Sequence, residues 1–169
     1  MLLNTKSKRV AFGGIGCALS LLFLVIASTF PFCRLVFVFA SSYIVGLTIL
    51  NYDVKSALIH YLAVAILSAF IVPAKQYTVL YIFVVGNYPV VKYYIDRIKS
   101  RYVSFVVKLT VYNIYVYVCY KLALSVLGIS FDLEYPLEML WAAMILAMYV
   151  YDYIYNVFMH KTLMFMLKN

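Results

Sequence analysis

The residues of this chain best suited to chemistry are charged and hydroxyl-bearing side chains that lie inside long apolar segments. Two stripes of such side chains recur at helical spacing: Lys108, Tyr112, Tyr115 and Cys119 in one segment, and Tyr149, Asp152, Tyr153, Asn156 and His160 in another. If the two stripes face one another, they form a hydroxyl-rich seam that is able to bind a small polar solute. Several of the 18 tyrosines are expected instead to anchor helices at membrane interfaces.

Lys108 and Asp152 are expected to form a buried ion pair within this seam. Counted from the ends of their segments, the two residues lie at depths of about 9 and about 12 Å. Either charge alone in hydrocarbon costs roughly 2.5–3.5 kcal/mol, so each needs a partner. The pair either fastens two helices or belongs to a functional site, and the sequence leaves both interpretations open. His60 either joins this network or is hydrogen-bonded between helices.

No set of catalytic residues is visible in the sequence. It has no His-x-x-x-His, no Gly-x-Ser-x-Gly, no paired carboxylates on one helix face and no phosphate-binding glycine loop. Cys17, Cys33 and Cys119 lack the spacing of a disulfide framework or a zinc site. We therefore expect no enzymatic activity, no metal and no cofactor.

The composition predicts a membrane protein. Of the 169 residues, 67% are hydrophobic and 12% charged, whereas a soluble domain has about 25% charged residues. So much apolar surface requires a lipid bilayer as its solvent. The net charge of +8 would suggest nucleic acid on a soluble face, but here basic residues separate apolar segments, as they do where they set membrane topology. Nucleic-acid binding is not expected.

Six segments have the length and polarity of membrane-spanning helices. They are residues 10–30, 34–50, 54–73, 77–95, 102–127 and 137–160. The alternating pattern of a membrane β-barrel is missing, and no linker long enough to separate domains is visible. The predicted fold is all-α, with residues 1–169 in one bundle of six transmembrane helices.

The distribution of basic residues predicts that both termini are cytoplasmic. With the N-terminus inside, the inner segments carry ten basic residues: Lys6, Lys8, Arg9, Lys55, Lys92, Arg97, Lys99, Arg101, Lys161 and Lys168. The outer ends carry three, Arg34, Lys75 and Lys121, and the loop from Gly128 to Glu138 is acidic. Such a bias is typical of a multi-pass protein of the cell membrane.

The fourth segment contains a helix break at Asn87-Tyr88-Pro89. Pro89 removes one backbone donor, so we expect a kink near Val85 and Gly86 and a freed carbonyl that Asn87 or a neighbouring tyrosine hydroxyl satisfies. The break either faces a binding cavity or improves packing. Lys92 is expected to extend toward the inner interface.

Small residues four apart form a stripe on the first helix. Ala11, Gly14 and Ala18 share one face, and Ala57, Ala65 and Ala69 repeat the pattern in the third helix. Such stripes let helix backbones approach closely in lipid, so one of them is available for a partner subunit.

The six spans with both ends inside, the small-residue stripe and the missing ATP-binding motif resemble the S component of energy-coupling factor (ECF) transporters. Tyr88-Pro89 and Lys92 before a basic loop also resemble small membrane proteins related to that group. In the family, an Ala-x-x-x-Ala stripe contacts a transmembrane coupling subunit, and Gly14 to Ala18 is the nearest match here, with Gly in place of the first Ala. The resemblance implies a small solute such as a vitamin, a coupling subunit and ATPases as partners.

Family substrate sites open toward the outer surface, which here implies residues near Phe32 to Arg34, Lys75 to Tyr77 and Asp132 to Glu138. Together with the buried polar groups, the expected solute-binding residues are Arg34, Asn87, Tyr112, Tyr115, Tyr149 and Asp152. The alternative is a structural or assembly protein whose polar seam only holds helices together. A third alternative is an ion or proton pathway through Asp152, Lys108 and His60. A solute site predicts a water-accessible cavity, and a scaffold predicts a dry seam.

Overall fold

The computed structural model describes residues 6–30, 33–126 and 137–168, and the regular structure within these ranges is entirely helical. In chain order the elements are α1 (Lys6–Thr29), α2 (Arg34–Asn51), α3 (Val54–Ile71), α4 (Lys75–Leu80), a π-helical segment (Tyr81–Val85), α5 (Tyr88–Ile95), α6 (Arg101–Val126) and α7 (Leu137–Lys168). The predicted all-α class is confirmed for the described residues. The chain divides into two compact units, Met1–Tyr94 and Ile95–Asn169.

Within the described ranges, four helices are long and apolar enough to cross a membrane. They are Ser7–Thr29, Arg34–Asn51, Val54–Ile71 and Trp141–Met164. A helix of about 18 residues extends about 27 Å, close to the hydrocarbon thickness of about 30 Å. In α6 the apolar stretch is shorter, Tyr102–Val118. These lengths and compositions fit the membrane class that the sequence predicts.

The largest differences between the helix bounds and the predicted spans lie in α1, α7 and the fourth span. α1 begins at Lys6, before predicted residue 10, and α7 continues to Lys168, beyond predicted residue 160. The predicted fourth span, 77–95, is not one continuous helix, because α4 and α5 are separated by the π-helical segment. α6 ends at Val126, and the last residue of the predicted fifth span lies outside the described ranges.

α1, α2 and α3 build the core of the first unit from faces with small side chains. The buried residues that recur along them are Gly16, Ser20, Leu24 and Ala27 in α1, Val38, Ser41, Val45 and Thr48 in α2, and Ala57, His60, Val64 and Ser68 in α3. They recur every three or four residues, so each helix has one buried stripe. A Cβ added at Gly16 would lie 2.8 Å from His60 Cε1 and 3.3 Å from Ile44 Cγ2, so α1 approaches both neighbours where it has no side chain.

The turn between α2 and α3 is fixed by Asp53. Its carboxylate caps α3 by accepting a hydrogen bond from the Ser56 backbone N–H at 2.7 Å. Arg9 Nη1 lies 3.3 Å from Asp53 Oδ2, and the Arg9 guanidinium lies over the Tyr52 ring at 5.3 Å. The hydrogen bonds with Ser56 lower the pKa of the Asp53 carboxyl, and the charges of Arg9 and Lys55 lower it further. This turn therefore ties the start of α1 to the start of α3.

The break before α5 is wider than the kink that Pro89 predicts. Residues Tyr81–Val85 form a π-helical turn, in which the Gly86 N–H donates to Tyr81 O at 2.7 Å. Pro89 has no N–H for the carbonyl of Val85. The Ser42 hydroxyl, which belongs to α2, donates to that carbonyl instead.

The predicted partners of the freed Val85 carbonyl, Asn87 or a tyrosine, therefore require correction. The Asn87 side-chain amide donates to Phe83 O at 3.3 Å, within its own segment. A tyrosine hydroxyl from a neighbouring helix does reach the break, but Tyr61 of α3 donates to Ile82 O, at 2.7 Å. Sequence periodicity within one segment contains no information about which neighbour reaches it, so Ser42 could not be identified in advance.

The environment of Lys92 also differs from the sequence prediction. The sequence predicts that its side chain extends toward the inner interface, whereas the residue is 5% exposed. Lys92 lies in α5, and Tyr88, one turn before it, is buried as well. The start of α5 therefore belongs to the protein interior.

Candidate functional site

Two acidic side chains of the second unit lie close to the Lys108 ammonium. Lys108 Nζ lies 3.2 Å from Asp152 Oδ2 and 3.3 Å from Asp96 Oδ1. Lys108 belongs to α6, Asp152 to the middle of α7, and Asp96 to the turn that precedes α6. The structure thus brings together the two residues that the sequence pairs, and it adds a second carboxylate.

The three side chains differ in their exposure to the surroundings. The side chain of Asp152 is 10% exposed, that of Lys108 is 19% exposed, and that of Asp96 is 48% exposed. A buried charge requires an opposite charge and hydrogen bonds, since removal of one partner leaves the other uncompensated. Lys108 therefore links a carboxylate inside the protein with one near its surface.

Asp96 is the residue of this cluster that sequence reasoning missed. It lies twelve residues before Lys108 and outside a helix, so helical periodicity does not relate the two positions. The one available signal was its place at the start of the basic turn that contains Arg97 and Lys99. An acidic residue there can neutralise a nearby cation of the next helix.

Aromatic side chains adjoin the charged cluster. The Tyr112 and Tyr149 rings pack edge to face with their centroids 5.0 Å apart. The centroid of the Phe105 ring lies 6.4 Å from that of Tyr149. Tyr112 is 1% exposed and Tyr115 is 7% exposed. Among the described residues, the Tyr149 hydroxyl is buried and has no hydrogen-bond partner. We call Asp96, Lys108, Tyr112, Tyr149 and Asp152 the charged seam.

The polar stripe predicted for α7 is only partly buried. Asp152 is buried, but Tyr153, Asn156 and His160 are exposed. Tyr151 and Tyr155 are buried in their place, with their ring centroids 6.1 Å apart. The predicted stripe covered a wider part of the helix surface than the face that is buried. Asp152 and Tyr153 are adjacent in sequence and point about 100° apart around the helix, so of these two the buried face includes only Asp152.

Two of the predicted solute-binding residues lie in the first unit. Arg34 Nε donates to Phe30 O at 3.3 Å, and the Arg34 guanidinium lies 5.8 Å from the centre of the Tyr77 ring. Asn87 donates to Phe83 O, as described above. The other four, Tyr112, Tyr115, Tyr149 and Asp152, belong to the second unit.

His60 forms a separate buried cluster that joins three helices. Its Nε2 lies 3.3 Å from Ser20 Oγ of α1, and its Nδ1 lies 2.9 Å from Thr48 Oγ1 of α2. His60 is 3% exposed. Both ring nitrogens therefore have hydroxyl partners, as expected for a histidine that is hydrogen-bonded between helices.

The small-residue stripe on α1 lies outside this packed core. Ala11, Gly14 and Ala18 are exposed, and a Cβ added at Gly14 would meet nothing within 4 Å. α1 packs on its neighbours through Gly16 and Ser20 instead. The face predicted for a partner helix is thus not used within the described chain.

Within the described ranges, no three His, Cys, Asp or Glu side chains lie close enough to hold a metal ion together. The charged seam contributes two carboxylates, and Lys108 already lies between them. The seam is therefore suited to hydrogen bonding and charge pairing with a polar group.

Comparison with known proteins identifies no relative. No protein-family model matches the sequence, and no curated protein and no solved structure matches it significantly. The charged and aromatic side chains described above are therefore the basis for assigning a function.

Proposed function

We propose that the protein is a noncatalytic subunit of the cell membrane that binds a small solute, a vitamin or a similar molecule, at the charged seam. In this proposal it crosses the bilayer six times with both termini in the cytoplasm, and it takes up the solute together with a partner module. The observation that carries the proposal is the position of Lys108 between two carboxylates of unequal exposure.

An ion pair that only fastened α6 to α7 would need one carboxylate, that of Asp152. Asp96 offers the Lys108 ammonium a second position nearer the surface, at nearly the same distance. If Lys108 moves toward Asp96, the Asp152 carboxylate exchanges this ammonium for a hydrogen bond or an ion pair with a polar group of the solute. The two carboxylates accept hydrogen bonds, which favours a solute with a hydrogen-bond donor or an amine.

Tyr149 and Tyr112 support the same assignment. The Tyr149 hydroxyl is buried and has no partner among the described residues, and a buried hydroxyl gains stability from each hydrogen bond that it forms. Tyr112 packs against the Tyr149 ring and fixes its orientation. Binding sites for small molecules commonly combine such aromatic walls with a few polar groups.

The exposed stripe of Ala11, Gly14 and Ala18 is the proposed contact for a transmembrane coupling subunit, to which ATPases would attach. Small side chains let a partner helix approach the α1 backbone closely, and this close packing is a main source of helix association in lipid. The protein itself would supply binding and reorientation, and the ATPases would supply the energy.

A structural or assembly protein is the second candidate, and the His60 cluster favours it. Ser20, Thr48 and His60 satisfy one another between three helices, which stabilises a scaffold without any ligand. In that case the ion pair of Lys108 and Asp152 would have the same fastening role in the second unit.

The two candidates predict different compositions of the purified protein. The full chain is extracted from its native membrane in mild detergent, and every accompanying protein and small molecule is identified by mass spectrometry. Copurification of ATPases with a retained small molecule is expected under the transport proposal. A ligand-free chain without those ATPases would reject it in favour of the scaffold.

Matched lysine variants then locate the solute. Lys108→Met removes the positive charge between Asp96 and Asp152. Lys121→Met removes a positive charge from the same helix, but the Lys121 ammonium lies over the Tyr117 ring instead. Loss of the retained molecule in Lys108→Met but not in Lys121→Met is expected. Equal retention in both variants would exclude the charged seam as the binding site.

A further inference from the structure

The break between α4 and α5 is held open by two hydroxyl groups from neighbouring helices. Ser42 of α2 donates to the Val85 carbonyl, and Tyr61 of α3 donates to the Ile82 carbonyl at 2.7 Å. Both carbonyls lie in the π-helical segment. A π-helical turn contains one more residue than an α-helical turn, and such turns are rare and frequent at functional sites.

We propose that Ser42 and Tyr61 form a latch on the π-helical segment, and that release of this latch turns α4 and opens one end of the first unit. The inference is independent of the solute-binding proposal, because every residue in it belongs to the first unit.

Conversion of the π-helical turn to an α-helical one changes the rotation of α4 relative to α5. Loss of one residue from the turn rotates the preceding helix by about 100°. The Val85 carbonyl cannot accept a backbone hydrogen bond from residue 89 in either form, because that residue is proline. Ser42 therefore supplies a donor that residue 89 lacks, and this bond favours the observed form because it holds the Val85 carbonyl against α2.

Gly86 shows that the π-helical form is specified by the sequence. A Cβ at this position would lie 2.8 Å from Tyr81 O and 2.8 Å from Tyr81 Cζ. Real Cβ atoms do not approach other atoms so closely, so the Tyr81 ring folds over the turn only because residue 86 is glycine. A larger residue at position 86 would force this turn to change.

α4 packs against α2 and α3 through three contacts at one end of the first unit. We call this region, which contains Arg34, Lys75, Tyr77 and Thr78, the Arg34 end. Lys75 Nζ donates to Ala69 O at 2.6 Å and to Val72 O at 3.0 Å, where it caps the last turn of α3. The Arg34 guanidinium lies over the Tyr77 ring at 5.8 Å.

The third contact is the hydrogen bond from Thr78 Oγ1 to Ser68 O at 3.2 Å. Thr78 is 3% exposed and Tyr77 is 8% exposed. Because these side chains belong to one short helix, a rotation of about 100° breaks all three contacts together. The latch therefore controls access to the Arg34 end.

Thiol labelling of the full chain in liposomes tests the latch. The three native cysteines are replaced by alanine, and Thr78→Cys supplies a buried reporter on α4. Ser42→Ala combined with Tyr61→Phe is expected to raise the labelling rate at residue 78 at least tenfold. Ser41→Ala is the matched control, because Ser41 is an adjacent buried serine whose hydroxyl donates to Val38 O of its own helix. It should change the rate less than twofold.

A second reporter separates release of the latch from general unfolding. Val45 is a fully buried residue of α2, and Val45→Cys replaces Thr78→Cys in the same set of variants. Labelling at residue 45 should remain slow in the latch variant. Fast labelling at both positions, or an unchanged rate at residue 78, would overturn the proposal.

Discussion

At the scale of single residues, Lys108 and Asp152 illustrate how a charge inside a membrane protein depends on its partner. The ammonium and the carboxylate are 3.2 Å apart, and both side chains are largely buried. The attraction between the two charges offsets the free-energy cost of removing each of them from water. Asp96 gives Lys108 a second carboxylate partner, so the charge of Lys108 is shared between two acidic side chains.

Asp152→Asn is expected to destabilise the protein, and addition of Lys108→Met is expected to restore most of the loss. Breaking a buried pair typically costs about 3–5 kcal/mol, and we expect less here because Lys108 keeps Asp96. Thermal unfolding of the single and double variants in detergent measures the effect. The double variant should regain stability but not the retained solute, so that stability and binding are separated. If it regained both, the pair would be purely structural.

Asp53 predicts a weak acid sensitivity of the turn between α2 and α3. Its pKa is lowered in the folded protein below the ordinary value of 3.8. Its contribution to stability is therefore complete above that value and is lost as the pH falls through the folded pKa. Asp53→Asn keeps a capping side chain but removes the titration, so wild type should progressively lose its advantage over the variant as the pH falls from about 5 to below the ordinary pKa of 3.8. Parallel melting curves over that range would contradict this assignment.

At the scale of helices, close packing of α1 against α3 depends on one glycine. Gly16→Ala places a Cβ 2.8 Å from the His60 ring, and overpacking of this kind costs about 1–3 kcal/mol. Gly13→Ala is the matched control, since a Cβ there meets nothing within 4 Å. We expect a lower melting temperature for Gly16→Ala and an equal or higher one for Gly13→Ala, because alanine favours a helix. Equal changes in melting temperature for the two variants would show that α1 does not pack closely against α3 at residue 16.

The sequence predicted the helices better than it predicted their contacts. Long apolar runs identify helices because a membrane-spanning backbone must satisfy its own hydrogen bonds, and Pro89 located the break. The hydrogen bonds that Ser42 and Tyr61 donate to the break could not be predicted from the sequence, because they depend on which helices become neighbours. Depth along two helices was enough to relate Lys108 to Asp152.

The same reasoning failed where side chains leave regular helices or where the buried arc is narrow. Asp96 lies in a turn, so no periodicity relates it to Lys108. His160 was predicted to share a polar stripe with Asp152, but Asp152 is buried in the structure and His160 is exposed. The spacing of residues gives the face of a helix only to within about one position, and the packing of neighbours decides which side is buried.

At the scale of the whole molecule, the proposed topology is carried by the basic residues. Cysteine reporters at Lys99, after Asp132 and at the C-terminus are labelled with a membrane-impermeant thiol reagent in sealed cells. The first and last should stay unlabelled, and the middle one should react, because basic segments remain in the cytoplasm. Permeabilised cells give the matched control. Opposite accessibility of Lys99 and the C-terminus would contradict six crossings.

The contact between Trp141 and Asn113 gives this protein an internal optical probe. The chain has one tryptophan, and its indole N–H donates to Asn113 Oδ1 at 3.1 Å, joining α7 to α6. Intrinsic fluorescence therefore reports on this helix junction without any attached dye. A red shift of the emission in Asn113→Ala would calibrate the signal, and titration with candidate solutes would then reveal which of them move the two helices.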